Sequence, residues 1–276
     1  GVPDQMLGGV ADAEAVVMGA WLRWSGAAGG GVRAPRASRV RVTPRLAIDR
    51  LRQVKARNEA YVGPWLPEPY ATDFGDTVPD TAERAVLADS VSLAVLVVLE
   101  SLSPLGLAVV VLRAPFGYPY ADIAAMLGRG EAAVRQLSGR ARRHVEERRP
   151  RYEVDPGRRR ELPERFLAAA GEGDLEGLLA LLGPDVRLGG DSGGKSRATL
   201  RVLESADKVG RFLVGAARKG VPDPSFRLME LNGGPALVVL SAGRPDSVFQ
   251  LDVHDGRIQA VYIIRNPDKL VSLPAV

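Results

Sequence analysis

The chain has 276 residues, of which 46% are hydrophobic and 25% charged, as is ordinary for a globular protein of two or three domains. It contains no cysteine, which excludes disulfides, thiolate metal sites and cysteine nucleophiles. Its two histidines, His144 and His254, lie far apart in sequence, so we predict neither a metal nor another cofactor. We find no signal peptide and no long apolar run, which indicates a cytoplasmic protein without a membrane partner.

The net charge of +4 is distributed unevenly along the chain. Basic residues outnumber acidic ones by 10 to 5 in residues 1–60 and by 13 to 8 in residues 101–165. Residues 61–100 are acidic, with 1 basic and 7 acidic side chains, and residues 166–276 balance at 13 each. Basic blocks suit a partner with a phosphate backbone, although solvated helix faces would produce the same pattern.

The first predicted domain, residues 1–60, contains amphipathic helices at 10–24 and 45–59, in which apolar residues recur at helical spacing. The second of these helices turns a basic face outward. Its basic side chains include Arg45, Arg50, Arg52 and Lys55. The chain opens within a helical pattern, so we expect that further residues of this domain precede it.

Residues 61–69, YVGPWLPEP, open a predicted linker that spans 61–82. Three prolines and a glycine in nine residues exclude a helix and favour extended backbone. Tyr61 and Trp65 are too apolar for a free linker, so we predict a structured connector packed against another element. An ordinary proline-rich loop between domains is the alternative.

The next predicted domain, residues 83–152, contains a helix-turn-helix pattern. Tyr120–Leu127 forms the first helix, Gly128–Gly130 the turn, and Glu131–Arg149 the second helix. The second helix carries a set of polar and basic side chains: Arg135, Gln136, Arg140, Arg142 and Arg143. This is typical of a recognition helix, whose early residues face base edges and whose later arginines face phosphates. A helix pair from any all-α domain could produce the same pattern.

The last predicted domain, residues 161–276, mixes helices and strands. Two short helices within 161–182 precede a strand at 185–188, a loop at 189–195 and a helix around 203–219. Three segments of alternating polarity follow, and the last contains an Asp255-Gly256 hairpin signal. Helices followed by antiparallel strands predict an α+β cone with an apolar interior suited to a small molecule.

Four spaced motifs resemble a known family. They are YVGPWLPEP at 61–69, the helix-turn-helix with YADIAAMLG and EAAVRQL, DSGGK at 191–195 and RNPDKL at 265–270. In this order they resemble bacterial extracytoplasmic-function sigma factors with a fused SnoaL-like C-terminal domain. The resemblance implies two all-α sigma domains, the second a helix-turn-helix, and an α+β SnoaL-like cone. It also implies promoter DNA and core RNA polymerase as partners, and a cone that regulates transcription, with a small-molecule ligand as a further candidate partner.

The resemblance also implies two sets of site residues. The DNA-binding set would be Arg135, Gln136, Arg140, Arg142, Arg143, Arg45, Arg50, Arg52 and Lys55. The regulatory set would be Tyr61, Trp65, Asp191, Gly193, Gly194, Lys195, Asn266, Pro267, Asp268 and Lys269. For the members of the regulatory set outside the linker, a loop and a helix cap that only stabilise the fold are the alternative.

The first domain departs from the family pattern at functional positions. Met18 and Gly19 replace a Gln-Glu pair that docks on the polymerase, and glycine there costs about 1 kcal/mol of helix stability. Ser38 stands at the start of a segment where the family has Trp-Leu-Thr-Thr, with Pro44 a few residues on. Because unstacking a base calls for an aromatic platform, these departures weigh against polymerase binding and promoter melting.

An enzyme and a binding-only protein are the alternative functions. Gln250, Asp252 and His254 alternate onto one face of a predicted strand, and Tyr262 lies on the next strand. If that face lined the cone, Asp252 and Tyr262 would be an acid–base pair for cyclisation, hydration or epoxide opening. The opposite positions are apolar and form the more natural core: Phe249, Leu251 and Val253. We therefore expect the polar row to face solvent.

Overall fold

The computed structural model describes residues 15–19, 45–54, 56, 61–71, 93–114, 116–148, 158–232, 234–271 and 273. It divides the chain into two compact units, Gly1–Ala60 with Leu96–Arg149 and Tyr61–Val95 with Pro150–Val276. Several predicted features lie outside the described residues: Ser38, Pro44, Lys55, Arg149 and the segment 72–82. Within the described ranges, no helix combines the length and apolarity that a membrane span requires.

The first unit is built of helices. Residues 15–19 and 45–54 are helical, as predicted. They are followed by α1 (Leu93–Glu100), which also extends into the second unit, α2 (Pro104–Arg113), α3 (Tyr120–Leu127) and α4 (Glu131–Arg148). One buried cluster joins segment 45–54 to α2 through side chains that include Ala47, Ile48, Leu51, Leu107 and Ala108. A second cluster joins α2, α3 and α4 through side chains that include Leu112, Ile123, Met126 and Val134.

The predicted helix-turn-helix is confirmed in α3 and α4. Gly128 ends α3 in the left-handed region at φ 63°, where a residue without Cβ adopts the conformation at no steric cost. The small side chain of Ala124 is buried between the helices. The Arg45 Nε atom donates a hydrogen bond of 2.7 Å to the Met126 carbonyl, so this side chain ties segment 45–54 to the end of α3.

The described part of the second unit is α+β, with helices that pack on one six-stranded sheet. The helices are α5 (Arg158–Glu172), α6 (Leu175–Leu181) and α7 (Ala206–Lys219). The strands are β1 (Leu182–Asp191), β2 (Leu203–Glu204), β3 (Pro224–Leu231), β4 (Gly234–Ser241), β5 (Arg244–His254) and β6 (Arg257–Ile264). The strand order is β2-β1-β6-β5-β4-β3, and the β1–β6 pair is parallel while the other neighbours are antiparallel.

The helix-covered face of the sheet holds an apolar core. Phe166, Leu178 and Leu213 from the helices pack with Val261 and Ile263 from β6. The predicted apolar side chains of β5 are packed against this cluster: Phe249, Leu251 and Val253. The helix side of the sheet is therefore the apolar interior that the sequence predicted for the cone.

The strand predicted at 185–188 is longer than expected. β1 extends to Asp191 and includes Gly189 and Gly190, which the sequence placed in a loop. The reason is its parallel pairing with β6, in which Gly190 lies opposite Ile263 and Asp191 opposite Ile264. Backbone pairing with a central strand therefore overrides the low strand propensity of glycine.

The expectation that the polar row of β5 faces solvent is wrong. Only 4% of Gln250 and 6% of Asp252 is exposed. Their face of the sheet is opposite the helices, yet Val238 and Ile264 on that same face are also buried. Alternation along the strand correctly separated the two faces, but it carries no information on whether the second face is covered. His254, at the strand end, is half-buried.

The predicted Asp255-Gly256 turn is confirmed between β5 and β6. Both residues have positive φ values, 51° and 70°. Successive positive φ values are typical of the turn whose twist matches that of a β-hairpin.

We expect Gly256→Ala to lower the free energy of unfolding by about 1 kcal/mol, because a residue with Cβ is disfavoured in the left-handed region. A Cβ at Gly256 would contact nothing within 4 Å, so the effect would come from the backbone alone. Gly215 within α7 has the same open surroundings, and Gly215→Ala should instead raise stability by roughly 0.5–1 kcal/mol. Urea unfolding followed by circular dichroism measures both shifts, and shifts of the same sign would contradict the assignment.

Candidate linker site and DNA-binding helix

A buried ion pair lies at the end of β1. The Lys269 Nζ atom is 2.7 Å from the Asp191 Oδ2 atom, and the two side chains are 8% and 0% exposed. Asp191 is the last residue of β1, and Lys269 belongs to α8 (Pro267–Leu270), which follows β6. Because β1 and β6 are parallel, both chain segments leave the sheet at the same edge, and the two charges meet there.

The predicted linker completes this ion pair. The Tyr61 hydroxyl donates to Asp191 Oδ1 at 2.5 Å, and the Leu66 amide donates to Asp191 Oδ2 at 2.8 Å. The Lys269 ammonium group donates to the Leu66 carbonyl as well as to Asp191. A buried carboxylate and ammonium need such additional hydrogen bonds to offset the water that they have lost. We call the group formed by Tyr61, Trp65, Leu66, Asp191, Asn266 and Lys269 the linker site.

Two aromatic rings surround the ammonium group of Lys269. Its Nζ atom lies 3.7 Å from the centroid of the Trp65 ring and 5.5 Å from that of Tyr61. Desolvated contacts of this kind are among the stronger cation–π interactions. Burial raises the pKa of Tyr61 well above its usual range, and the hydrogen bond to Asp191 and the charge of that carboxylate raise the pKa further. The Tyr61 hydroxyl therefore stays protonated and donates.

The RNPDKL motif caps a helix and orients the linker. The Asn266 Oδ1 atom accepts from the Asp268 amide at 3.1 Å, which makes Asn266 the N-cap of α8, with Pro267 in the first turn. The Asn266 Nδ2 atom donates to the Tyr61 hydroxyl at 2.7 Å. Lys195 forms an exposed ion pair with Asp268. The motif therefore holds both its own helix and a linker side chain.

The two glycines of the DSGGK motif make room for the linker. Gly193 and Gly194 have φ values of 57° and 73°, which favour glycine. A Cβ at Gly193 would lie 2.9 Å from the Tyr61 hydroxyl and 2.8 Å from Asn266 Nδ2. A Cβ at Gly194 would lie 3.3 Å from the Val62 Cβ atom. Space as well as backbone conformation therefore favours glycine at position 193.

The linker is also held at its far end, by a residue that the sequence did not indicate. Asn232 is fully buried, and its Nδ2 atom donates to the Glu68 carbonyl at 3.0 Å. Its Oδ1 atom accepts from the Tyr70 amide at 3.2 Å, and its own amide donates to the Tyr70 carbonyl at 3.0 Å. Ala71 forms a β-bridge with Leu231 at the end of β3. Asn232 stands in a Leu-Asn-Gly-Gly stretch that has the pattern of an ordinary turn. The sequence therefore gave no sign that this asparagine holds the linker.

The predicted DNA-facing side chains of α4 all lie at the surface: Arg135, Gln136, Arg140, Arg142 and Arg143. Arg142 pairs with Glu146 at 2.7 Å, and Arg143 Nε donates to the Gly139 carbonyl at 3.4 Å. The pairing with Glu146 raises the pKa of Arg142. The buried side of α4 carries Val134, Ser138 and Ala141, none of which belongs to the predicted set. The helix therefore presents its guanidinium groups to solvent, where a nucleic acid could reach them.

The basic side chains of segment 45–54 differ from one another in their contacts, unlike the uniformly exposed set on α4. Arg45 is exposed but donates to the Met126 carbonyl, as described above. Arg52 pairs with Asp49 at 3.0 Å, and Arg50 donates to Gln53 at 3.0 Å. Arg45 therefore has a structural role besides any contact with DNA.

The polar row of the enzyme alternative does not line the helix-covered interior. Tyr262 lies directly opposite Gln250 in the β5–β6 ladder and so shares its face of the sheet. Burial and the negative charge of Asp252 raise the pKa of Tyr262. His254 Nε2 is 3.2 Å from Asp255 Oδ2 at the hairpin. In the described part of the chain, no three His, Cys, Asp or Glu side chains are grouped as a metal would require.

An exposed, arginine-rich second helix in a helix-turn-helix is typical of a DNA-binding transcription protein. Residues 92–145 match the family model described as "Sigma-70, region 4". The "ECF RNA polymerase sigma factor SigJ" of Mycobacterium tuberculosis (strain ATCC 25618 / H37Rv) is 37% identical in an alignment of 282 residues. The alignment covers 98% of this chain and 89% of that protein. The "Probable ECF RNA polymerase sigma factor SigI" of the same strain is 30% identical over 273 residues, covering 98% and 90%.

A solved structure agrees with these sequence comparisons. The crystal structure of Mycobacterium tuberculosis SigJ superposes with a TM-score of 0.75 at 35% identity, covering 100% of this chain and 95% of that chain. The chain belongs to the extracytoplasmic function (ECF) RNA polymerase sigma factors. The predicted family and fold class are confirmed, and the enzyme alternative finds no support among these relatives.

We expect Lys269→Met to destabilise the second unit by about 3–5 kcal/mol, because it leaves the Asp191 carboxylate buried without its counter-charge. Lys195→Met is the matched control, since it removes a neighbouring lysine whose ion pair with Asp268 is exposed, and it should cost less than about 1 kcal/mol. Urea unfolding measured by circular dichroism gives both values. Equal, small effects would show that the buried pair contributes little.

Proposed function

We propose that this sigma factor binds core RNA polymerase in the cytoplasm and places α4 in the major groove of the upstream promoter element. The surface position of all five predicted side chains of α4 carries this proposal. A recognition helix in a helix-turn-helix enters the major groove, and arginines along it neutralise phosphates. The proposed domains are 1–60 for the −10 element and the polymerase, 83–152 for the −35 element and 161–276 for regulation.

The direct test of this proposal is run-off transcription. The chain, added to core RNA polymerase, should direct transcripts from a promoter selected by its own binding preference. Core polymerase alone is the control. A chain that binds the promoter but never supports transcription would contradict the sigma activity, and the departures at Met18 and Gly19 are the first positions to restore towards the family pattern.

We expect Arg140→Ala to weaken promoter binding and to reduce the slope of log K against log salt by about 0.9, the change for one lost phosphate contact. Arg140 is exposed on α4. Arg211→Ala is the matched control, because Arg211 is an exposed arginine paired with Asp207 on α7 of the second unit. Fluorescence anisotropy between 50 and 200 mM salt measures the affinity and the salt slope of both variants. Wild-type binding that does not weaken over this range would contradict the DNA-binding role of α4.

The linker site is proposed to regulate transcription. Residues 61–71 lie along the chain between the two parts of the first unit, 1–60 and 96–149. Their contacts with Asp191, Lys269 and Asn232 restrain this connection. A sigma factor must bind two separated promoter elements at once, and a restrained connector limits the geometries in which both can be reached. We therefore assign the docked linker the role of a brake.

A small molecule that enters the cone would meet apolar side chains. Phe212 and Phe249 are only partly buried against the helix-covered core, and they are the aromatic candidates for such a contact. We propose an apolar ligand, because contacts with such side chains would favour it.

We expect Asp191→Asn to raise the transcript yield severalfold, because the amide cannot balance the charge of Lys269 and the linker is released. Binding of duplex DNA through α4 should not change. Glu204→Gln makes the same chemical change in an exposed ion pair with Arg187, and it should leave the yield unchanged. An unchanged or lower yield for Asp191→Asn would contradict the role as a brake. Run-off transcription measures the yield.

A further inference from the structure

The guanidinium group of Arg135 is held by two neighbours near the start of α4. Its Nε and Nη2 atoms both donate to Glu131 Oε1, at 3.0 and 2.5 Å. Its Cζ atom lies 4.8 Å from the centroid of the Tyr120 ring. Arg142 has a comparable ion pair with Glu146, but no aromatic contact to Arg142 occurs among the described residues. Arg135 thus combines an ion pair with a stacking contact.

The Tyr120 ring is itself fixed in place. Its hydroxyl is 3.1 Å from the Ser138 hydroxyl, one turn further along α4 than Arg135. The Arg113 guanidinium contacts the ring from α2, with its Cζ atom 4.9 Å from the centroid. The surface on which Arg135 stacks is therefore anchored by α2 and α4 as well as by α3.

Among the residues that the structure describes, the outer edge of the Arg135 guanidinium makes no hydrogen bond. A guanidinium carries five N–H donors, and Glu131 takes one from Nε and one from Nη2. The remaining three include both donors of Nη1, and Nη1 with Nη2 forms a planar fork. This fork matches the O6 and N7 acceptors of guanine in the major groove, which is the commonest specific arginine contact with DNA.

The position of Arg135 in α4 suits a contact with bases. It is the fifth residue of the helix, and early residues of a recognition helix face base edges. Ala132 and Ala133 in the first turn are exposed and small, so the helix end can approach the groove closely. Arg140 and Arg143 follow more than a turn later, where phosphates are expected.

The charge of the pair also favours a base over a phosphate. Glu131 and Arg135 are together neutral, so the pair gains little from the field of the DNA backbone. Hydrogen bonds from Arg135 to a base keep their strength when the arginine is paired with Glu131, because they depend on the placement of the N–H donors. The cost of ordering the arginine on binding is also reduced, since the side chain is already held.

We infer that Arg135, positioned by Glu131 and Tyr120, determines specificity by recognising one guanine in the major groove of the upstream promoter element. This inference rests on the proposed function of α4. Arg135 contacts the base directly, and Glu131 and Tyr120 are positioning residues.

The test measures binding of the full chain to a panel of duplexes in which each base pair of the upstream element is substituted in turn. For the wild type, replacing one G·C pair should cost about 5- to 150-fold, the range for a bidentate contact. Arg135→Ala should abolish this preference and leave preferences at the other positions unchanged. Arg135→Lys keeps the charge but lacks the planar fork, so it should weaken the same preference without a change in salt slope.

Two glutamate substitutions distinguish the positioning of Arg135 from the effect of removing a negative charge from α4. Glu131→Gln should reduce discrimination at that base pair severalfold, while non-specific binding holds or rises because a negative charge is removed. Glu146→Gln is the matched control on α4, and it should retain the full preference. Tyr120→Leu should reduce the preference in the same direction as Glu131→Gln.

Three results would overturn the inference. If Arg135→Ala weakens binding to every duplex equally and lowers the salt slope by about 0.9, Arg135 is a phosphate contact, while the proposed function of α4 stands. If Glu131→Gln and Glu146→Gln preserve the preference equally, Glu131 does not position Arg135. If the wild type shows no salt-dependent binding to any duplex, the proposed function itself fails, and the inference fails with it.

Discussion

The Asp191–Lys269 ion pair is the constraint on which the second unit and its linker both depend. Removing two charges from water is costly, and their attraction offsets this cost only when the remaining donors and acceptors are also satisfied. The linker supplies those groups, through the Tyr61 hydroxyl and the backbone of Leu66. The pair therefore contributes both to the docked linker and to the junction of β1 and α8.

The features that the sequence predicted well are those set by local chemistry. The end of α3 and the turn after it follow from Gly128, which ends a short apolar helix. The β5–β6 hairpin follows from Asp255 and Gly256, whose backbone requirement is met by few other pairs. The residues of the DSGGK and RNPDKL motifs were indicated by the family resemblance, and the structure places Asp191, Asn266 and Lys269 against the linker. Their roles in regulation and in DNA binding stay predictions.

The features that the sequence missed depend on contacts between distant segments. Gln250 lies on the face of β5 opposite the helices, and alternation cannot indicate that this face is buried too. Its Nε2 atom donates to the Leu231 carbonyl, at the strand end that also bridges to Ala71. Asn232 was missed for a related reason, since its partners are the backbone groups of Glu68 and Tyr70, more than 160 residues earlier. A side chain that hydrogen-bonds to the main chain of another segment places no requirement on the side chains of that segment, so the sequence does not indicate the contact.

The prolines of the linker give the site a further property. Pro64, Pro67 and Pro69 fix their own φ angles and favour extended backbone before them, so the free segment already resembles the bound one. Little chain entropy is then lost when Leu66 presents its amide and carbonyl to the two charges. A tethered, pre-shaped peptide therefore loses less conformational freedom on docking than a glycine-rich segment of the same length would.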